Sequence, residues 1–206
     1  MSFKNKLKAR RAEEQEAKRR RDWLIQSVRA HLLPVLIKQG FEVASRVHLG
    51  PVDREFVLSF PSWGRLTRAR ESGVDLIEIQ FASHGRAAFR VNAGVAPKDG
   101  LATPTGHQAL EEVGVHRLNE HFETHARPWL RLSLRALGLE PLGAWFSVWH
   151  WPYQSPTQRD YDELALQVAG FVPELELALR EGRLGPHMRR VVIPLPKPRS
   201  ATVREA

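Results

Sequence analysis

The chain has 206 residues, of which 42% are hydrophobic and 26% are charged, and it contains no cysteine. This length suits one domain with a sizeable core, and the lack of cysteine excludes disulfides, thiolate metal sites and cysteine nucleophiles. Because no apolar run approaches the ~20 residues that span a bilayer and no apolar signal segment follows the N-terminus, we expect a cytoplasmic protein without a membrane partner.

The formal net charge of +8 is concentrated at one end of the chain. Residues 1–22 hold nine Lys or Arg against four Asp or Glu, a balance of +5, which leaves +3 for the remainder. We therefore predict a basic, solvated helical arm over 1–22, a single α+β domain over 23–187, and a proline-rich extended or disordered tail over 188–206.

The N-terminal third is predicted to be a long helix followed by a strand pair. Apolar residues at helical spacing indicate a helix from about residue 4 to residue 39, with a kink at Pro34 and an end at Gly40. Two short strands are expected over 41–49 and 55–60.

The middle of the chain contains the strongest strand pattern. Residues 61–73, PSWGRLTRARESG, are predicted to be a loop, and loops of that length are often functional. Alternating apolar and polar residues then predict strands over 74–81 and 87–95. The segment IEIQFASHGRAAFRVNAGV, residues 77–95, contains most of the first strand and all of the second.

The C-terminal half is predicted to be mainly helical. We expect helix over most of 107–137, a last strand in WFSVWHW at 145–151, and a helix over 157–181 that is disrupted near Pro173. The order of elements indicates an α+β fold with one mainly antiparallel sheet packed against helices and a long charged N-terminal helix.

The hairpin register follows from the loop length. A three-residue loop at 84–86 places Phe81 opposite Phe89 and all the apolar side chains on one face. A register shifted by one residue would mix both faces. The opposite face is then a polar patch that consists of Glu78, Gln80, Arg90 and Asn92.

This patch has two interpretations. It is either the solvated side of a half-buried sheet or part of a groove, roofed by the Trp63 loop, that hydrogen-bonds a polar or anionic ligand. The second interpretation defines the predicted ligand-binding residues, which are Trp63, Arg65, Gln80, Ser83, Arg90 and Asn92.

Short motifs in the domain resemble those of a large bacterial family known only as a domain of unknown function. They are a helix end of the form Lk.lGF and a hairpin of the form Q.S…F.vN.G, matched by Leu36, Gly40, Phe41, Gln80, Ser83, Phe89, Asn92 and Gly94. The resemblance covers roughly residues 24–184 and implies a compact α+β domain in a bacterial cytoplasm, without an assigned catalytic residue.

Recognised catalytic patterns do not occur in the sequence. There is no Gly-x-Ser-x-Gly elbow, phosphate-binding glycine loop or dinucleotide fingerprint, so no catalytic residue and no cofactor are expected. His121 and His125 lie four apart, which suits two ligands on one face of a predicted helix, and His116 lies slightly more than one turn earlier. However, EHFETH is not the metalloprotease pattern, and no third ligand is placed. No metal site is predicted.

The basic arm is the second candidate for binding. Lys18, Arg19, Arg20 and Arg21 form a dense cluster that would make salt-dependent contacts with phosphates. A second basic cluster consists of Lys4, Lys6, Lys8, Arg10 and Arg11. The glutamates between the two clusters, Glu13, Glu14 and Glu16, instead suit intrahelical ion pairs. We therefore expect a non-catalytic binding protein that takes a protein partner or an anionic ligand; the alternatives are a nucleic-acid-associated protein acting through the arm and an enzyme with an unrecognised pocket.

Overall fold

The computed structural model describes residues 3–44, 61–82, 87–103, 106–125, 145–148 and 155–193. The N-terminal segment is helical and comprises α1 (Phe3–Ser27), a π-helical turn (Val28–Leu32) and α2 (Leu33–Lys38). Among the described residues, no helix combines the length and the apolar content that a bilayer crossing requires.

The predicted kink at Pro34 takes the form of the π turn. Proline has no N–H, and its ring would collide with the carbonyl group four residues earlier in a regular helix. The wider turn, in which the N–H of Leu33 donates to the carbonyl of Val28, lets Pro34 fall in the first turn of α2. The helical segment ends at Gly40, whose φ of 86° lies in the left-handed region.

One antiparallel sheet organises the rest of the described chain. Its seven strands are β1 (Glu42–Val43), β2 (Arg65–Ala69), β3 (Val74–Phe81), β4 (Ala88–Ala96), β7 (Glu120–Thr124), β8 (Phe146–Ser147) and β9 (Met188–Val192). Their order is β1-β2-β3-β4-β7-β9, and β8 also pairs with β4. A separate hairpin consists of β5 (Leu101–Thr103) and β6 (Gly106–Gln108), and two 3₁₀ turns, Leu110–Glu112 and Val115–Arg117, lead into β7.

Two helices complete the fold, α3 (Gln158–Ala169) and α4 (Val172–Glu181). A capping box starts α3, because the carboxylate of Asp160 accepts from the N–H of Thr157 at 2.6 Å. Pro173 lies in the first turn of α4, where a missing N–H costs nothing, so it begins this helix rather than disrupting one. The break between the helices lies at Gly170 and Phe171.

The main core lies between one face of the sheet and the helices. Ile77, Ile79, Phe89 and Val91 are at most 2% exposed and pack with the C-terminal half of α1, the π turn, α2, α3 and α4. We call this the apolar face. Full burial of each such side chain stabilises the fold by about 1.5–3 kcal/mol.

The structure confirms the α+β fold and corrects several predicted elements. The predicted loop 61–73 contains β2, because pairing with β3 outweighs the weak strand propensity of a segment rich in arginine. The helix predicted over 107–137 is wrong for residues 107–125, because this segment contains the end of β6, two 3₁₀ turns and β7. The tail predicted from 188 begins with β9, which pairs with β7, so the domain extends at least to Val192.

Other predictions lie outside the described residues. They concern most of the strand pair at 45–60, the hairpin loop at 83–86, the helix prediction over 126–137, the tryptophans at 149 and 151, and the tail from 194.

Candidate functional site

The face of the sheet opposite the apolar face contains a row of charges around one amide. Register pairs place Arg65, Glu78, Asn92, Glu123 and Arg189 beside one another on five consecutive strands. The row reads positive, negative, neutral, negative, positive. Next to it lie Gln80, Arg90 and His121, and we call these eight residues the polar face.

The predicted register of the hairpin is confirmed. Glu78 pairs with Asn92, and Gln80 pairs with Arg90. The side chains are more buried than expected, however, since Glu78, Gln80 and Asn92 are between 3% and 5% exposed. The interpretation of this patch as the solvated side of a half-buried sheet is therefore wrong.

One part of the polar face is held by internal hydrogen bonds. Nε of Arg90 donates to Oε1 of Gln80 at 2.5 Å, and Nη2 of Arg65 donates to the carbonyl of Leu110 at 2.8 Å. The N–H of Val115 donates to Oε1 of Glu78 at 3.1 Å. Burial raises the pKa of Glu78, although the Val115 N–H and the nearby cationic groups oppose this shift.

Glu123 is the electrostatic centre of the other part. Nη2 of Arg189 donates to its Oε2 at 2.6 Å, while Nη1 of Arg90 and Nε2 of His121 lie 4.0 Å and 3.8 Å from its Oε1. The His121 ring and the two guanidinium groups lower the pKa of Glu123 to about 2, although burial opposes them. Glu123 is thus an anion at neutral pH.

Three buried polar atoms of the polar face lack a hydrogen-bond partner in the part of the chain that the structure describes. They are Oδ1 of Asn92, Nδ1 of His121 and Nη1 of Arg65, in residues that are 3–4% exposed. Nη1 of Arg65 lies 3.8 Å from Oε1 of Glu78, which is an ion-pair distance but too long for a hydrogen bond. Because nearly all buried polar atoms in proteins have a partner, these atoms mark a place where a ligand or water can bind.

The accessible rim of the polar face is cationic and aromatic. The side chains of Arg90 and Arg189 are 22% and 36% exposed, against 16% for Glu123. The guanidinium of Arg90 lies over the ring of Trp145 at 5.0 Å from the centroid, an arrangement that holds the guanidinium in place. A ligand that approaches from this side meets arginine first.

The structure separates the predicted site residues. Trp63 lies on the apolar face, where its ring contacts Phe81 edge-on at 6.1 Å, so the predicted roof over the polar patch is wrong. Arg65 does join the patch, but as part of β2, and its position next to Glu78 is set by register. Ser83 lies outside the described residues.

The other arginines of the predicted loop do not reach this site. Arg68 and Arg70 point to the apolar face, where both donate to Oδ2 of the fully buried Asp75 at 2.7 Å. Nη1 of Arg68 also donates to Glu176 of α4 at 2.9 Å. This cluster of half-buried side chains around the buried Asp75 fastens the sheet to α4.

Sequence reasoning did not assign four residues of the site and its rim to the polar patch, namely His121, Glu123, Trp145 and Arg189. The segment EHFET has a single apolar residue, Phe122, so it carries no clear alternation of a strand, and its surroundings favoured a helical interpretation. As a strand, β7 directs His121 and Glu123 to the polar face.

The histidines do not form the helical pair that their spacing suggested. His121 lies within β7 and His125 directly follows it. The two histidines, four positions apart, are therefore spread along an extended chain and do not lie one helical turn apart. Among the described residues, no group of three or more His, Asp or Glu side chains could hold a metal ion.

Comparison with known proteins gives no family for the chain. No family model matches it, and no curated protein or solved structure is significantly similar. The resemblance to a bacterial family of unknown function stays a prediction.

Proposed function

We propose that this is a non-catalytic binding protein that takes a small anionic ligand at the polar face. The observation that carries the proposal is the set of atoms of Asn92, His121 and Arg65 that have no hydrogen-bond partner among the described residues and that lie on adjacent strands of one sheet. A site on adjacent strands is preorganised, so binding loses little conformational entropy. We also propose that the protein acts in the cytoplasm.

The charge of the polar face favours an anion. Three arginines, Arg65, Arg90 and Arg189, stand against two glutamates, Glu78 and Glu123. Because burial raises the pKa of Glu78, this carboxyl is also the one that is neutralised more readily. An anionic group at the rim would meet Arg90, and a ligand N–H or O–H would donate to Oδ1 of Asn92.

The same geometry makes binding a better explanation than catalysis. A general base works best with a pKa near the operating pH, whereas the pKa of Glu123 is about 2. Burial raises the pKa of Glu78, but this carboxyl is 4% exposed and accepts from the N–H of Val115. Two cavities that described residues line lie elsewhere, one along α1 and one within the main core. A small ligand also suits the burial of Asn92 better than a protein partner does.

The test is a titration of ¹⁵N-labelled protein with inorganic phosphate, acetate and glutamate at constant ionic strength. We expect saturable shifts that are confined to β4, β7 and the Asn92 amide for at least one probe. Arg90→Gln and Asn92→Ala should abolish them, while Arg159→Gln should not, because Arg159 is 86% exposed on α3.

Two outcomes would overturn the proposal. One is linear, unsaturated shifts spread over the surface for every probe. The other is equal affinity in the wild type and in the Arg90→Gln variant. Arg90→Lys serves as a second variant, because it keeps the charge and should retain part of the affinity if the fold of the glutamine variant is disturbed.

A further inference from the structure

The N-terminal half of α1 extends away from the domain. Every residue from 5 to 15 is exposed, and the first buried side chain of the helix is Leu24, followed by Ser27 and Val28. No described apolar stripe holds this half to the core, so its surface is available to a partner.

Cations and acids are segregated around this helix. At 100° per residue, Lys8, Arg11, Lys18 and Arg19 fall on one stripe that is centred on Gln15 and faces away from the buried residues. All four cations are exposed. The stripe contains no acidic residue from Lys8 to Arg19.

The three glutamates of the arm lie off this stripe. Glu13 is two residues from Gln15, about 200° around the helix, and Glu14 and Glu16 are each about 100° away. Glu14 accepts from Arg10 at 3.0 Å, and Glu16 pairs with Arg20 at 2.9 Å and with Arg19. The predicted intrahelical pairs therefore form at Glu14 and Glu16, and of the stripe cations these glutamates engage only Arg19 among the contacts of the described residues.

A shallow, open surface on the same face of α1 continues the stripe, and its edge is the partly buried ring of Trp23, which packs against Tyr161 and the main core. Its lining residues are Gln15, Lys18, Arg19, Asp22, Trp23 and Gln26. The guanidinium of Arg19 lies 5.0 Å from the centroid of the Trp23 ring. Lys18 also pairs with Asp22 at 3.2 Å, at the far end of the stripe.

We propose that this face of α1 binds single-stranded nucleic acid. The stripe would contact successive phosphates, and an unpaired base would stack against the Arg19 guanidinium and the exposed part of the Trp23 ring, since tryptophan rings and guanidinium planes both stack on bases. A duplex offers phosphates but no unpaired base, so a single strand is the better fit. This site is separate from the polar face, and either proposal can fail alone.

The test compares full-length variants in binding a fluorescent single strand of about 16 nucleotides. The stripe variant is Lys8→Gln, Arg11→Gln and Lys18→Gln. The matched control is Arg159→Gln, Arg180→Gln and Arg183→Gln, which removes the same charge from exposed positions that are 86%, 64% and 74% accessible.

Four phosphate contacts on a single strand predict a slope of log affinity against log salt near −3, or a loss of about 50-fold between about 50 and 200 mM salt. The stripe variant should bind at least about tenfold more weakly than the control at the lower salt. Equal weakening by both variants, a flat salt dependence, or tighter binding to a duplex of the same sequence would overturn the proposal.

Discussion

Replacement of Glu123 by glutamine should destabilise the protein in a strongly pH-dependent way. The pKa of Glu123 is about 2 in the folded protein against an ordinary value of 4.5. A shift of one unit corresponds to about 1.4 kcal/mol, so the ionised carboxylate stabilises the fold by up to about 3 kcal/mol. Glutamine keeps the shape but cannot pair with Arg90 and Arg189, so we expect a loss of about 2–3 kcal/mol at neutral pH.

The sign of the pH dependence follows from the direction of the shift. A carboxyl with a lowered pKa stabilises the folded state above its unfolded value, and this contribution disappears as the pH falls from about 5 toward 2. The difference between wild type and Glu123→Gln should therefore be largest at pH ~7, about half as large at pH ~3, and close to zero at pH ~2.

Urea unfolding of both proteins across this pH range measures the difference directly, because the titration of all other groups cancels. The matched control is Glu163→Gln, whose carboxylate is 61% exposed and pairs only with Arg159 among the described residues. This control should change stability by less than about 0.5 kcal/mol at every pH. A Glu123→Gln effect that stays constant from neutral to acidic pH would refute the electrostatic role assigned to Glu123.

Two further changes test the packing that positions the polar face. Asp75→Ala leaves the half-buried Arg70 without its carboxylate, while Arg68 keeps Glu176, so urea unfolding should show a loss of about 2 kcal/mol. A loss below about 1 kcal/mol would mean that this cluster is solvated. Gly100→Ala, at a φ of 96°, places a methyl group against the backbone carbonyl of Gln108 in β6, whereas Gly106→Ala, at a φ of 133°, meets open space. Gly100→Ala should therefore lower the free energy of unfolding by about 1–3 kcal/mol more than Gly106→Ala. Equal melting temperatures of the two variants would contradict the close approach of Gly100 to the Gln108 carbonyl.

Local pattern alone was sufficient for the central hairpin and the long helix. β3 alternates from Ile77 to Phe81 and β4 from Phe89 to Ala93, and a shift of one residue would have buried charges in the main core, so one register was strongly preferred. The charge blocks of residues 4–22 likewise indicated a helix without an apolar stripe. Both elements are specified by contacts between residues close in sequence.

The rest of the polar face depended on pairing between distant segments. Glu123 and Arg189 lie 66 residues apart, and each belongs to a short strand whose local sequence is compatible with other structures. The strand conformation of β7 is selected by its pairing with β4, and that of β9 by its pairing with β7. Such tertiary contacts outweigh weak intrinsic propensity in short segments.

By itself, the sequence determined the class of the fold, the register of its central hairpin and the charge of its N-terminal helix. The tertiary structure decided which side chains meet, placing Trp63 in the main core, Arg65 beside Glu78, and Arg189 on Glu123. The physical reason is that alternation tells which side of a strand a residue occupies, whereas only the order of strands across the sheet tells which residues lie next to it.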